Sequence, residues 1–170
     1  MERRPARDTR PATSRRRGGW YGYGKRLTTE KNAVGRVLHD TAYVFGDVSF
    51  ASLPVLFVIY AGQDARPFGF VTTGMVAWFA FIAAAVVIRG GWLTPLRTDV
   101  PGWVSLKPSL VALRLLYYNL ALAVGTFGGV AFATAAGVAS LSLAVAAAVS
   151  VFAALVFPSL AESFYHRFVY

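Results

Sequence analysis

Residues 139–160 read ASLSLAVAAAVSVFAALVFPSL and contain no charged side chain. A helix of about 20 apolar residues is long enough to cross the hydrocarbon core of a bilayer. A soluble helix of this length would need a polar face toward water. Here the only polar side chains are four scattered serines. The stretch therefore predicts a membrane-spanning helix rather than a buried helix of a soluble protein.

Three further apolar runs of similar length precede this one, at about residues 44–61, 70–88 and 110–133. Four spans of about 20 residues each use most of the chain, together with their connections and the N-terminal segment. No stretch remains for a separate soluble catalytic domain. The sequence thus predicts an all-α membrane protein with four transmembrane helices.

The composition supports this class. Of the 170 residues, 56% are hydrophobic and 15% are charged, whereas a typical soluble domain is about 25% charged. Residues 1–43 carry eleven basic and four acidic side chains, so the positive charge is concentrated before the first span. The chain has no cysteine, which excludes a disulfide scaffold, a zinc finger and an iron–sulfur protein.

The charges on the connections predict the orientation. The segment before the first span is strongly basic, residues 62–67 are balanced, residues 89–107 are basic and residues 134–138 are uncharged. Basic connections remain on the cytoplasmic side of a membrane. We therefore expect a multi-pass protein of the plasma membrane with both termini in the cytoplasm. The preference for Arg over Lys and the abundance of Ala, Val and Gly suggest a prokaryotic source.

The region before the first span divides into two parts. Residues 1–26 are rich in Arg, Pro and Gly and have too few apolar side chains to fold alone, which predicts a disordered cytoplasmic arm. Residues 27–43 place apolar side chains at intervals of three and four, which predicts an amphipathic helix on the membrane surface. Residues 27–170 would then form one transmembrane domain that begins with this helix.

Basic and aromatic side chains alternate along the arm. This chemistry suits anionic lipid headgroups with interfacial aromatic rings, or stacking on single-stranded nucleic acid. Because the arm is attached to a predicted transmembrane domain, we favour anionic lipid as its ligand, then an acidic protein partner, and disfavour nucleic acid. The binding residues would be Arg15, Arg16, Arg17, Trp20, Tyr21, Tyr23, Lys25 and Arg26.

A stripe of small residues recurs at every fourth position along the third span. Such a stripe lets a second helix approach closely in a membrane. It predicts either a tight antiparallel hairpin of spans three and four or an interface with a membrane partner or a second copy. The members of this packing face are Ala121, Gly125, Gly129, Ala133 and Gly137.

Polar side chains also cluster in or beside the spans, near the predicted cytoplasmic boundary. Charges inside a span are costly and usually pair or extend to the headgroups. We hypothesise an ion pair between Asp47 and Arg114; the alternative is that each side chain reaches the headgroups separately. A structural role is favoured over an ion path. The predicted cluster consists of Asp47, Arg89, Arg114, Asn119 and Glu162.

No nucleophile–base pair, phosphate-binding loop or H-E-x-x-H motif is evident. The sequence therefore predicts a non-enzymatic accessory or interaction subunit without cofactor or metal. One alternative is a small oligomeric transporter or channel with Asp47, Arg114 and Asn119 at its cytoplasmic mouth. A weaker alternative is a membrane enzyme, whose site would consist of His39, Asp40, Glu162 and His166.

Overall fold

A computed structural model of the chain describes residues 33–62, 68–98 and 108–168. Within these ranges the regular structure is entirely helical, without strands. The predicted basic arm at residues 1–26 lies outside the described residues, as do residues 27–32 of the predicted interfacial helix.

Four helices account for nearly all of the described chain. They are α1 (Ala33–Ala61), α2 (Phe70–Arg89), α3 (Pro108–Ala136) and α4 (Leu141–Phe168). Each contains a segment that is long and apolar enough to cross a membrane. The prediction of four such helices is thereby confirmed.

The helices extend beyond the apolar runs from which they were predicted. Residues 33–43, the described part of the predicted interfacial helix, continue into α1 without a break, and the apolar segment of α1 already begins at Val37. At the other end of the chain, α4 continues past residue 160 to Phe168. A helix ends where its backbone is interrupted, and neither boundary holds an interrupting residue. By contrast, Gly137 has a left-handed backbone (φ 70°) and ends α3.

The four helices alternate in direction. Helices α2 and α3 pack against each other, and both pack against α1 and α4. Arg89, which ends α2, contacts Asp40 near the start of α1, and Thr73 near the start of α2 contacts Ser142 near the start of α4.

All charged residues of the described ranges lie in one half of the bundle, which we call the charged half. This half contains the starts of α1 and α3 and the ends of α2 and α4.

Aromatic side chains fill the bundle centre beneath the charges. The Tyr118 ring on α3 lies 5.0 Å from the rings of Phe81 on α2 and Phe157 on α4. Phe81 and Tyr118 are almost fully buried. This cluster joins three helices, and its edge-to-face contacts fix their rotation more specifically than aliphatic packing would.

Candidate functional site

Asp47 and Arg114 meet between α1 and α3. The Arg114 guanidinium donates a hydrogen bond to one Asp47 carboxylate oxygen, and the Tyr118 hydroxyl lies 3.4 Å from the other. The Arg114 side chain is only 5% exposed and that of Asp47 is 22% exposed. In this geometry the two charges neutralise each other inside the protein, instead of each reaching the headgroups.

A second ion pair lies nearer the end of the charged half. The Arg89 Nε donates to Asp40 at 3.1 Å, and both side chains are buried. The Tyr43 ring lies beneath the guanidinium, 4.4 Å from its carbon to the ring centre, where a cation–π interaction is favourable.

The sequence does not predict the role of Asp40. Arg89 belongs to the predicted polar cluster, whereas Asp40 belongs only to the alternative enzyme site. The useful signal was spacing: Asp40 and Asp47 are seven residues apart, or two helical turns, so both face the same side of α1. That shared face is the one that packs against α2 and α3.

The described side chains of the alternative enzyme site each have a different environment. Asp40 is buried against Arg89, while His39 is exposed and its ring lies 6.5 Å from that of Tyr43. Glu162 accepts a hydrogen bond from the Thr98 hydroxyl. The His166 side chain lies outside the described part. No three His, Cys, Asp or Glu side chains in the described ranges are placed to hold a metal ion.

Asn119 binds the backbone of α1 next to Pro54. Its amide nitrogen donates to the Ala51 carbonyl at 2.7 Å, and its amide oxygen accepts from the Val55 N–H at 2.8 Å. In an unbroken helix these two backbone groups would bond to each other. Because proline disturbs the helical ladder around it, the Asn119 side chain supplies partners for both groups from the neighbouring helix.

The other proline-containing helix, α4, also receives a hydrogen bond from another element next to its proline. Pro158 lies within α4, and the carbonyl three residues before it, on Leu155, accepts the backbone N–H of Leu96 at 3.1 Å. In α1 the corresponding carbonyl, three residues before Pro54, is that of Ala51. Each proline helix therefore receives a hydrogen-bond donor from a different element. In a membrane, such donors make an interrupted helix tolerable.

The small-residue stripe packs against α4 of the same chain. A Cβ at Gly125 would lie 3.3 Å from the Ser150 hydroxyl, and one at Gly129 would lie 2.9 Å from the Ser142 carbonyl oxygen. Ala121 and Ala133 are buried as well, while Gly137 is exposed at the turn. The stripe thus serves the intramolecular hairpin, and its buried part is not available to a partner.

A π-helical turn at Val124–Gly128 keeps the stripe in line. In an α-helix, each four-residue step overshoots a full turn by about 40°, so a strict four-residue repeat winds around the helix. A π turn contains more residues and corrects this drift locally. The sequence does not predict this turn, because no local pattern distinguishes a π turn from an α turn.

We expect Gly129→Ala to destabilise the bundle and Gly128→Ala to leave it unchanged or slightly more stable. The new methyl group at residue 129 would clash with the backbone of α4, whereas the position beside Gly128 is open. Thermal unfolding in a mild detergent measures both variants. Equal unfolding temperatures would contradict the close contact of α3 and α4.

Asn119→Leu should destabilise the protein by about 1–3 kcal/mol, because it leaves buried backbone groups of α1 without partners. The same change should lower the unfolding free energy less in a Pro54→Ala background, where the Val55 N–H can bond to the Ala51 carbonyl within α1. A double-mutant cycle on unfolding free energies measures the difference. Leu116→Ala, a change on the lipid-facing side of α3, is the control. Equal costs in both backgrounds would exclude the proposed coupling.

Arg114→Leu should destabilise the protein by about 3–5 kcal/mol, since it leaves the Asp47 carboxylate without its cation. The double variant Asp47→Leu with Arg114→Leu should recover most of this loss, because no unpaired charge remains. Unfolding free energies in the same detergent test both. A double variant as unstable as the single one would show that the pair is not what holds α1 to α3.

Comparison with known proteins identifies the family but not the activity. No curated protein and no solved structure matches the chain. A family profile matches residues 31–164, a region that includes α1, α2, α3 and α4 as far as Phe164 and leaves the arginine-rich arm outside. The chain therefore belongs to the family described as a domain of unknown function, DUF8215.

Proposed function

We propose that this protein is an integral membrane accessory subunit without catalytic activity, which binds a partner rather than transforming a substrate. One observation carries this proposal: the two buried ion pairs and the Asn119 amide are engaged in holding the helices together. Asp47 binds Arg114, Asp40 binds Arg89, and Asn119 binds the backbone of α1. Groups committed in this way stabilise the structure and are poorly placed for chemistry.

The location proposed for the protein is the plasma membrane, with both termini in the cytoplasm. Arg97 and Arg167 lie exposed in the charged half, the half to which the start of α1 belongs. The eleven basic side chains of residues 1–43 precede the transmembrane part of this helix or lie in its first turns. The positive-inside rule supports a cytoplasmic position for such a basic end.

The basic arm is the first of two proposed binding surfaces. It would follow the anionic cytoplasmic surface, where each basic group contributes about 1 kcal/mol of attraction, or bind an acidic partner. Residues 27–32 would lead from the arm into α1, with the first turns of α1 at the interface. The attraction would weaken at high salt because mobile ions screen exposed charges.

The second proposed surface is the outer face of α1. Since the small-residue stripe is covered by α4, a partner helix or a second copy would need another face. Phe50 and Phe57, two turns apart on α1, are each 72% exposed, and Leu53 lies between them. Large side chains at this spacing supply the dispersion contacts that helix association in lipid depends on.

The second candidate function is a small oligomeric transporter. Pro54 inside α1 favours it, because proline within a membrane helix is one pointer to the binding sites that transporters form near the bilayer midplane. Asp47 lies two turns before Pro54 on α1, Arg114 and Asn119 contact α1 from α3, and these three side chains would line the cytoplasmic mouth. Several copies would have to combine to complete a path.

Co-purification tests the proposal. The intact protein, isolated from its native membrane in mild detergent, should retain a defined partner, and deletion of residues 1–26 should weaken that association while the helical bundle stays folded. Replacing Arg15, Arg16 and Arg17 with Gln is the matched variant, because it removes charge without shortening the chain. Circular dichroism confirms folding.

A self-contained oligomer without a partner would contradict the accessory role. Solute flux in liposomes would then decide for the transporter if Asp47→Asn abolishes it in an oligomer that remains assembled. The Asp47→Leu, Arg114→Leu double variant is the control for flux lost through a weakened bundle. Metal or another cofactor bound stoichiometrically to the purified protein would contradict both proposals.

A further inference from the structure

Two residues of the chain that follows α2 bind α4 on opposite sides of Pro158. The Leu96 N–H donates to the Leu155 carbonyl, three residues before the proline, at 3.1 Å. The Thr98 hydroxyl donates to the carboxylate of Glu162, four residues after the proline. These two contacts therefore connect both parts of α4 to one short stretch of chain.

Residues 95–98, which we call the bridging segment, are held in a strained conformation. Pro95 is buried, so the segment begins at a fixed point. Arg97 lies between the two bonded residues and has a φ of 60°, in the left-handed region where the Cβ of an ordinary residue crowds the backbone. Because the Arg97 side chain is exposed, the contacts on either side of it impose this conformation, and packing of the arginine does not.

Pro158 is the point at which α4 is least well supported from within. Proline has no backbone N–H to donate to the Ala154 carbonyl one turn earlier, and its ring crowds that carbonyl. In the same turn, the Ser159 hydroxyl donates to the Val156 carbonyl at 2.8 Å. Since helices bend most readily at proline, the direction of α4 beyond this point depends on contacts with other elements.

Limited packing fixes α4 beyond the proline. Among residues 159–164 only Ala161 is buried, and its side chain is a single methyl group. Phe164 packs against the core but is only partly buried, while Leu160 and Ser163 are exposed. The contacts of the bridging segment are therefore a substantial part of what holds this end of α4.

We propose that the bridging segment is a conformational device that fixes the direction of α4 at Pro158 and releases it when the segment undocks. While both contacts are made, the parts of α4 before and after the proline are bound to the same short segment. The strain at Arg97 opposes docking, so these contacts open more easily than the buried contacts of the bundle. Opening allows the last turns of α4, at the end of the charged half, to change direction. This proposal does not depend on the function proposed above.

Hydrogen exchange tests the strained contact. The exchange rate of the Leu96 amide reports how often its bond to Leu155 opens. Arg97→Asn should slow this exchange about fivefold, which corresponds to about 1 kcal/mol, because asparagine adopts the left-handed conformation more readily. Thr98→Val removes the second contact and should speed the exchange. Nuclear magnetic resonance of the isotope-labelled full chain in detergent micelles measures both rates.

Two controls separate local opening from unfolding of the bundle. Thr134→Val removes a hydroxyl that bonds to the Val130 carbonyl of its own helix, so this variant should leave the exchange of Leu96 unchanged. The Thr73 amide, which donates to the Gly69 carbonyl at 3.0 Å at the other end of the bundle, is the reference in every sample. A rate that changes at Leu96 but not at Thr73 reports local opening.

A distance measurement tests the direction of α4. The chain has no cysteine, so Val111→Cys on α3 and Ser163→Cys on α4, both at exposed positions, introduce two spin labels at defined sites. The distribution of distances between the labels should be broader or displaced when Thr98→Val is added. In a Pro158→Ala background, where α4 can complete its own hydrogen bonds, adding Thr98→Val should leave the distribution unchanged.

Three results would overturn the proposal. The first is exchange at Leu96 that is no slower in Arg97→Asn or no faster in Thr98→Val, which would show that the segment is neither strained nor jointly held. The second is an unchanged distance distribution in Thr98→Val, which would show that packing alone fixes the end of α4. The third is the same broadening with and without Pro158, which would place the bend elsewhere.

Discussion

A hydrocarbon interior provides no hydrogen-bond partners, so polar groups placed there are satisfied within the protein or carry a large cost. This constraint explains the pairing of Asp47 with Arg114 and of Asp40 with Arg89. Both pairs link α1 to its neighbours, α3 and α2. The first helix is consequently positioned by charge as well as by packing, and its orientation depends on α2 and α3 remaining in place.

The same constraint governs the two proline-containing helices. Asn119 supplies both a donor and an acceptor to α1, whereas Leu96 supplies a backbone donor to α4. In each case the hydrogen bond also joins two elements that are distant in sequence. The backbone groups disturbed by each proline thereby take part in a tertiary contact, which helps a bundle with two proline-containing helices to pack closely.

Close packing provides the remaining cohesion. Lipid tails are as apolar as leucine, so helices in a membrane associate through contact and not through exclusion of water. Gly125 and Gly129 bring α3 against the backbone of α4, and the π turn keeps both residues on the contact side. Large side chains remain on the outer surfaces, especially along α1, and those surfaces are available to lipid or to a partner.

The sequence by itself determined the number of helices, their approximate limits and the placement of most charges toward one end, because apolar run length and charge order are properties of a single chain segment. The sequence also predicted the packing face formed by the small residues of α3. Only the tertiary structure decided that Arg89 pairs with Asp40, that Asn119 binds the backbone of α1 beside Pro54, and that Leu96 binds the backbone of α4. These contacts depend on the depth and rotation of one helix relative to another. Packing between segments sets both quantities, and no local pattern encodes them.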